Sequence, residues 1–291
     1  MPALSRPTLL SLGHGYSARR LARDLLSEGW RILATTRDPG KMDAIAASGA
    51  EPLLWPLETP EAALAEADHL LASAAPAQGD DPVLARLAPQ LAEAAPDLRW
   101  VGYLSTTGVY GDRGGAWIDE TAERRPATAR GAARVAAEDA WLALHARSGL
   151  PVHLFRLAGI YGPGRGPFAK VRAKSARRIV KPGQVFSRIH VDDIAGALRA
   201  SLAAPRPGRA WNVNDDLPAP PQDVLAEAAR LLDLPPPPEI AYEDADLSPM
   251  AASFYSESKR TSNRRLKTEL GWRPQHPTYR EGLRAILDAE R

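Results

Sequence analysis

The chain has 291 residues, a length that allows one large α/β domain with an appendage and a core that needs no covalent cross-links. It has no cysteine, which excludes disulfides, thiolate nucleophiles and cysteine-based metal sites, and its net charge of +2 favours neither a nucleic-acid partner nor an anionic membrane. No apolar run approaches the length that crosses a bilayer, and the first residues lack the order of a signal peptide, so we expect a cytoplasmic protein.

Short apolar runs bounded by glycine and proline alternate with alanine- and leucine-rich stretches of helical period. This alternation predicts βαβ units and a parallel sheet, which is the doubly wound, Rossmann-type α/β fold class. In chain order, the predicted strands are Thr8–Leu12, Trp30–Thr35, Pro52–Trp55, His69–Ala72, Trp100–Leu104 and Val152–Leu157. The predicted helices between them are Ser17–Glu28, Lys41–Ser48, Val83–Ala94 and Ala127–Arg147. Ligands of such sheets bind at the carboxyl ends of the strands, so we expect functional residues just after each strand.

The pattern changes after Tyr161, where a loop rich in glycine and proline precedes a basic stretch. Later elements are predicted as a strand-and-helix pair at Arg188–Leu202, a strand at Trp211–Asn214, a helix at Gln222–Leu232 and a stiff spacer at Pro235–Pro238. We therefore predict a Rossmann domain over residues 1–163, to which 188–215 return, and a smaller C-terminal α/β region over 164–291.

The first predicted strand runs directly into Gly13-His-Gly-Tyr-Ser-Ala18, which has the spacing G-x-G-x-x-A and opens an amphipathic helix. Gly13 allows a tight turn, Gly15 allows a pyrophosphate to approach the backbone, and Ala18 allows the helix to pack closely on the strand. The helix N-terminus adds free N–H groups and a positive dipole end. We therefore predict that the first domain binds NAD(P) through Gly13, His14, Gly15, Tyr16, Ser17 and Ala18.

Two more residues are predicted to contact the dinucleotide. The second strand has no carboxylate at its end and is followed by Arg37, which favours the 2′-phosphate of NADP over the free ribose of NAD. NAD stays the alternative, since an exposed arginine often has no ligand. Ser73 follows the fourth strand, and topology alone predicts that it lines the adenosine side.

Further motifs follow the later strands. They are Leu104-Ser-Thr-Thr-Gly-Val-Tyr-Gly-Asp112, Leu157-Ala-Gly-Ile-Tyr-Gly-Pro-Gly164 and Ile189-His-Val-Asp-Asp-Ile194. Together with the glycine motif, and in this order, they resemble the extended short-chain dehydrogenase/reductase family of NAD-dependent epimerases and dehydratases. The resemblance spans nearly the whole chain. It implies a nicotinamide cofactor, an anionic, nucleotide-sugar-like substrate bound by the C-terminal region, and a homodimer.

In that family a hydroxyl three residues before the valine of Val-Tyr-Gly holds the substrate oxygen, and the resemblance puts it at Thr106, beside Ser105. The family's catalytic Tyr-x-x-x-Lys pair falls on Arg130 and Arg134. Arg130 cannot act as a general base, because a guanidinium stays protonated. The chain thus resembles an atypical subgroup that lacks this pair. The two arginines share a helix face, which suits either an anionic substrate or solvent and a salt bridge to Glu138.

Several other residues could serve in a functional site, but each also has a structural explanation. Seven basic residues between Arg165 and Lys181 could hold a substrate anion or form a solvated surface. His190 is expected to serve the start of a helix, with a proton shuttle as the alternative, and Tyr110 is expected to pack behind the sheet. The spacing Tyr255-x-x-x-Lys259 is expected to be a chance match, and the histidines show no metal-ligand spacing.

Two functions remain open on this sequence, besides the least favoured interpretation that the chain is a structural relic that binds nothing. The first, which we favour, is an NAD(P)-dependent oxidoreductase or epimerase whose Thr106 orients a small anionic substrate. The second is a non-catalytic NADP(H)-binding sensor or regulatory protein that has lost the tyrosine and lysine.

Overall fold

The structure is a computed structural model that describes residues 6–76 and 80–290, apart from the side chain of Met250. These residues form two compact units. The first contains the chain up to Ser105 together with Ala133–Arg156 and Ala195–Ala210. The second contains Thr106–Ala132, Leu157–Ile194 and the chain from Trp211 onward. The division differs from a boundary at residue 163, because the segments that follow Ser105 and Arg156 pack with C-terminal elements.

The strands are numbered in chain order. They are β1 (Thr8–Leu12), β2 (Arg31–Thr36), β3 (Glu51–Leu54), β4 (His69–Ala72), β5 (Trp100–Thr106), β6 (Trp117–Ile118), β7 (Val152–Leu157), β8 (Gly159–Tyr161), β9 (Arg178–Val180), β10 (Arg188–His190), β11 (Ala210–Val213), β12 (Glu239–Ala241) and β13 (Arg260–Thr261).

The helices are numbered in the same way. They are α1 (Tyr16–Ser27), α2 (Met42–Ala47), α3 (Pro60–Ala65), α4 (Leu84–Glu93), α5 (Ala129–Ser148), α6 (Phe168–Arg172), α7 (Val191–Ala203), α8 (Pro221–Leu231), α9 (Pro249–Tyr255), α10 (Arg264–Leu270) and α11 (Tyr279–Ala289). None of the helices within residues 6–76 and 80–290 has the length and apolarity needed to cross a membrane.

A seven-stranded parallel sheet in the order β11-β7-β5-β4-β1-β2-β3 confirms the predicted Rossmann-type fold. β1 pairs with β2 on one side and with β4 on the other, so the sheet winds outward in both directions from β1. All five residues of β1 are buried, as is typical of a parallel strand covered on both faces. Two boundaries matter for function: β2 runs to Thr36, and β5 runs two residues past its predicted end to Thr106.

Each unit has a core of its own. In the first unit, Leu10, Leu70, Val101, Trp141 and Leu154 belong to one buried cluster. In the second unit, a separate buried cluster forms around side chains of α6, α8 and α11, among them Phe168, Ala228, Leu283 and Ile286. The second unit also contains three small parallel strand pairs, β8 with β10, β9 with β12, and β6 with β13.

Candidate functional site

The glycine loop follows β1 and leads directly into α1. Thr35 of β2 accepts two hydrogen bonds from this loop. The Thr35 hydroxyl accepts from the Gly13 N–H at 2.9 Å, and the Thr35 carbonyl accepts from the His14 N–H at 3.1 Å. The loop closes with a 2.7 Å bond from the Gly15 N–H to the Gly13 carbonyl. Because Gly15 is the N-cap and has no side chain, the first turn of α1 has no side-chain cap of its own.

The two glycines meet different requirements. Gly13 has a φ of +87°, and a Cβ there would lie 2.8 Å from the backbone nitrogen of Ala74. The fold itself therefore requires glycine at this position. Gly15 has an ordinary φ of −90°, and a Cβ there would meet nothing nearer than the Gly13 carbonyl oxygen at 3.9 Å. The space above Gly15 is open, which fits the approach of a ligand to bare backbone.

The remaining residues of the predicted dinucleotide site surround this loop. Ser17 and Ala18 are buried under it, Ala18 with 1% of its surface exposed, while Tyr16 is half-buried. Burial, with a smaller contribution from the charge of Arg19, lowers the pKa of His14 to about 4, so its ring is neutral at pH 7. The Nδ1 atom of that ring lies 3.0 Å from the Ser11 hydroxyl.

Ser73, just after β4, donates its hydroxyl hydrogen to the Gly13 carbonyl oxygen. Its role in the structure is therefore to hold the glycine loop from the neighbouring strand. The sequence placed Ser73 at this edge of the sheet, but the spacing of 60 residues gave no sign that it would bond to the loop itself.

Arg37 is the first residue after β2 and is exposed. Within the described part of the chain, its guanidinium makes no hydrogen bond or ion pair. The next residue, Asp38, uses its carboxylate locally, since Oδ1 accepts from the Gly40 N–H at 3.0 Å and Oδ2 lies 3.5 Å from the Lys41 ammonium. Among the described residues, the Arg37 guanidinium at the end of β2 therefore has no hydrogen-bonding or ionic partner. The neighbouring Asp38 carboxylate is bound by Gly40 and Lys41.

A buried polar network ties the end of β5 to α5 in the first unit. The Ser105 hydroxyl donates to Glu138 at 2.6 Å, and Glu138 accepts from the Arg156 guanidinium through Nε at 3.0 Å and Nη2 at 2.7 Å. The side chains of Glu138 and Arg156 are 0% and 7% exposed. The hydroxyl of Ser105, predicted as a candidate catalytic residue, thus donates its hydrogen bond to a buried carboxylate inside the core.

Arg134 sits one helical turn before Glu138 and anchors the same strand. Its Nη1 donates to the Leu104 carbonyl oxygen at 2.6 Å and to the Tyr103 hydroxyl at 3.0 Å. Burial raises the pKa of that tyrosine, with the Arg134 charge opposing the shift. Arg134 and Glu138 therefore connect successive turns of α5 to the last residues of β5.

Arg130 belongs to the second unit, where its exposed guanidinium lies 5.6 Å from the ring centre of Phe254. Phe254 is itself 51% exposed. The four-residue spacing in the sequence did not indicate the contacts of the two arginines. Arg130 lies over the ring of Phe254, whereas Arg134 donates hydrogen bonds to the end of β5.

Thr106 ends β5 and is half-buried. Its Oγ1 accepts a hydrogen bond from the Gly108 N–H at 3.1 Å and thereby caps the short 3-10 turn at Thr107–Tyr110. The cap fixes the hydroxyl oxygen, and the hydroxyl hydrogen stays available for a second oxygen.

The basic stretch is largely engaged within the second unit. Arg172 pairs with Glu290 at 2.6 Å, Arg178 pairs with Glu239 at 3.0 Å, and Lys181 donates to the Tyr255 carbonyl. Arg177 donates to the carbonyls of Lys174 and Ala176. At least four of the seven basic side chains thus have structural partners.

Tyr110 and Tyr255 are the two tyrosines that the sequence offered as substitutes for the missing catalytic tyrosine. Tyr110 is fully buried and donates to Asn212 at 2.8 Å, so it packs within the second unit. In the Tyr255-x-x-x-Lys259 spacing, the Lys259 ammonium donates to the Gly111 carbonyl at 2.9 Å and to Glu257.

A cluster that the sequence did not predict joins His190, Asp193 and His276, whose ligand atoms all lie within 4.8 Å of one another. Its members are already used for folding: His190 Nδ1 accepts from the Asp192 N–H at 3.2 Å, and Asp193 accepts from the backbone of Gln275 and His276. Burial raises the pKa of Asp193 to about 6. Asp193 and His276 are 83 positions apart in the sequence, so no local pattern indicates this contact.

Comparison with known proteins assigns this architecture to a family. The model of the NAD dependent epimerase/dehydratase family matches residues 12–214, a stretch that includes the glycine loop, β5 and α5. The chain belongs to the NAD-dependent epimerase/dehydratase family. Protein YeeZ of Escherichia coli strain K12 is 32% identical over 244 residues, which are 78% of this chain and 84% of YeeZ.

Solved structures of similar proteins agree with this family. A conserved protein of unknown function from Silicibacter pomeroyi DSS is 59% identical, with a TM-score of 0.92 over 98% of this chain and 100% of that one. UDP-glucuronic acid 4-epimerase from Bacillus cereus, solved with UDP-glucuronic acid and NAD, shares the fold at 16% identity, with a TM-score of 0.76 over 97% and 98% of the two chains. The epimerase/dehydratase fold is thus present over essentially the whole chain.

Proposed function

We propose that this epimerase/dehydratase family member binds a nicotinamide dinucleotide at its glycine loop and prefers NADP. The observation that carries the proposal is the loop itself, where Gly13 is required by the fold while the space over Gly15 is open. The uncapped first turn of α1 offers N–H groups and a positive dipole end to a pyrophosphate. The Bacillus cereus epimerase with the same fold was solved with NAD.

The preference for NADP rests on the end of β2. Arg37 extends into solvent there with no hydrogen bond or ion pair to a described residue, while Asp38 is engaged in its own turn. A guanidinium can bind a 2′-phosphate through two parallel hydrogen bonds, whereas a ribose 2′-hydroxyl is usually held by a carboxylate.

We further propose that the protein is an oxidoreductase or epimerase acting on an anionic, nucleotide-sugar-like substrate. A bound nicotinamide would supply hydride transfer. Thr106 would donate its hydroxyl hydrogen to the substrate oxygen, since its own oxygen already accepts from Gly108. Ser105 and Arg134 would hold the end of β5 that leads into Thr106. UDP-glucuronic acid, the ligand of the Bacillus cereus epimerase, is an anionic substrate of this kind.

The first experiment is titration calorimetry and thermal melting with NADPH, NADP, NADH and NAD. A ligand that binds only the folded state must raise the melting temperature. In Gly15→Ala, the new methyl group meets no atom of the chain within 3.9 Å, so the ligand-free protein should keep its melting temperature within a few degrees. We expect this variant to lose at least tenfold in dinucleotide affinity. If all four ligands leave the wild type unchanged, the cofactor proposal is wrong.

A non-catalytic NADP(H) sensor is the second candidate, and one observation favours it. The position of the family's tyrosine carries Arg130, which stacks on Phe254 and cannot accept a proton at neutral pH. An enzyme converts a substrate with the bound cofactor, whereas a sensor binds the cofactor without converting any substrate. The cofactor-loaded protein is incubated with UDP-sugars and small ketones while nicotinamide absorbance and product stereochemistry are followed.

If the protein is an enzyme, Thr106→Val should slow turnover at least tenfold with unchanged cofactor affinity, and Thr106→Ser should restore it. Binding without turnover on every substrate would support the sensor. The homodimer stays a prediction, which light scattering of the purified protein would test.

A further inference from the structure

The second unit has a charged cavity whose residues play no part in the proposed function. Helices α8 and α11 pack against each other, and a cavity of about 440 Å³ lies beside them. The cavity is open to solvent, since Arg230, Arg280 and Arg284 are exposed, and its volume falls within the range of about 300–1,000 Å³ that is common for small-molecule sites. We call it the α8–α11 cavity; its lining residues are Glu227, Arg230, Arg280, Glu281 and Arg284.

Both acids of the cavity are already engaged. Glu227 accepts two hydrogen bonds from Arg230, at 2.9 Å from Nε and 2.6 Å from Nη2. Glu281 closes the capping box of α11, where its Oε2 accepts from the backbone N–H and the hydroxyl of Thr278. Both carboxylates keep their charge, so three guanidinium groups face two acids in the cavity and one positive charge is in excess.

Those two arginines, Arg280 and Arg284, lie four residues apart in α11 and so share one face of the helix. The Arg280 guanidinium lies 5.8 Å from the ring centre of Tyr279. Across residues 6–76 and 80–290, the Arg284 guanidinium makes no hydrogen bond or ion pair. Hydrogen bonding to Arg230, reinforced by the charges of Arg230, Arg280 and Arg284, lowers the pKa of Glu227, which shows that all three guanidinium groups act on the same small region.

We propose that the α8–α11 cavity binds the phosphate groups of a small ligand. Three guanidinium groups against two engaged carboxylates leave a net positive charge, and the planar guanidinium matches a phosphate through paired hydrogen bonds. The positive end of the 11-residue helix α11 lies at Arg280 and Glu281 and adds to the attraction. Pyrophosphate is the simplest ligand with this chemistry, and sugar phosphates and nucleoside diphosphates share it.

The test measures pyrophosphate binding by titration calorimetry in chloride buffer of matched ionic strength. We expect wild-type protein to bind, Arg284→Ala to bind at least tenfold more weakly, and Arg280→Ala/Arg284→Ala to show no binding. The matched control is Arg264→Ala, which removes an exposed arginine from α10 of the same unit and should leave the affinity unchanged. Orthophosphate, glucose 6-phosphate and ADP, titrated in parallel, identify the ligand class.

Gly15→Ala separates this site from the glycine loop, because pyrophosphate could bind there too. If the α8–α11 cavity is the site, Gly15→Ala keeps its pyrophosphate affinity while Arg284→Ala loses it. The opposite pattern would assign the pyrophosphate to the glycine loop and overturn the proposal. Absence of binding in the wild type, or an equal loss in Arg264→Ala, would overturn it as well. Melting curves of each variant without ligand verify folding.

Discussion

Arg37 is the side chain that we propose to set the cofactor preference. It follows β2 directly and extends into solvent, whereas the neighbouring Asp38 is held by Gly40 and Lys41. A charged guanidinium near the adenosine ribose should favour a 2′-phosphate over a 2′-hydroxyl. Only the phosphate carries a negative charge and can accept two parallel hydrogen bonds from the guanidinium.

Arg37→Ala should therefore weaken NADPH binding at least tenfold and change NADH binding by less than threefold, measured by titration calorimetry. The tenfold loss corresponds to about 1.4 kcal/mol, close to the lower end of the range of about 1.5–3 kcal/mol for one charge-assisted hydrogen bond. Arg23→Ala, which removes another exposed arginine of the same unit on α1, should bind both ligands like the wild type. Tighter binding of NADH than of NADPH by the wild type would contradict the role of Arg37.

At the scale of elements, β5 and α5 are held together by the buried network of Ser105, Glu138 and Arg156. Arg156 lies in β7, inside an otherwise mostly apolar run that is buried over its whole length. A buried arginine in such a strand requires an acid, and the structure supplies Glu138 at 2.7 Å. The network fixes the residue immediately before Thr106.

Glu138→Gln should lower the free energy of unfolding by about 3–5 kcal/mol, because it removes the charged partner of a buried guanidinium. Urea denaturation measures the loss. The control Glu93→Gln, at the exposed end of α4, should change stability by less than about 0.5 kcal/mol. The double variant Glu138→Gln/Arg156→Met should lose less than Glu138→Gln alone, since it also removes the buried positive charge. A larger loss in the double variant would show that packing, and not charge, dominates.

For the molecule as a whole, the buried His153 should contribute to the response to acid. His153 is fully buried, and both ring nitrogens are used as in the neutral form: Nδ1 lies 3.3 Å from the Val101 carbonyl oxygen, and Nε2 accepts from the Arg206 N–H at 2.9 Å. Burial lowers the pKa of His153 to about 4 from its usual 6.5.

Because the folded-state pKa is lowered, the unfolded chain takes up a proton first as the pH falls. The contribution of His153 is therefore complete above pH 6.5 and is lost between pH 6.5 and about 4, amounting to about 2 kcal/mol at pH 5. His153→Gln should be less stable than the wild type at pH 7.5, but the difference should shrink by that amount at pH 5. Urea denaturation at the two pH values measures it, and a difference independent of pH would contradict a neutral, buried His153.

The amino-acid sequence alone determined the fold class and the position of the glycine loop. Both follow from local information: the alternation of buried strands and amphipathic helices, and a turn in which Gly13, Gly15 and Ala18 lie within six residues of chain. Strand ends were less well defined, as β5 shows, because Ser105 and Thr106 are polar residues that continue an apolar strand.

Only the tertiary structure decided what the candidate side chains contact. Ser105 and Glu138 are 33 residues apart, and Asp193 and the backbone of His276 are 83 apart, so no local pattern signals either contact. Likewise, helical spacing put Arg130 and Arg134 on one face but could not show that one stacks on Phe254 and the other binds the Leu104 carbonyl. Sequence periodicity reports which face of an element is buried, whereas the partner across that face is set by how distant segments pack.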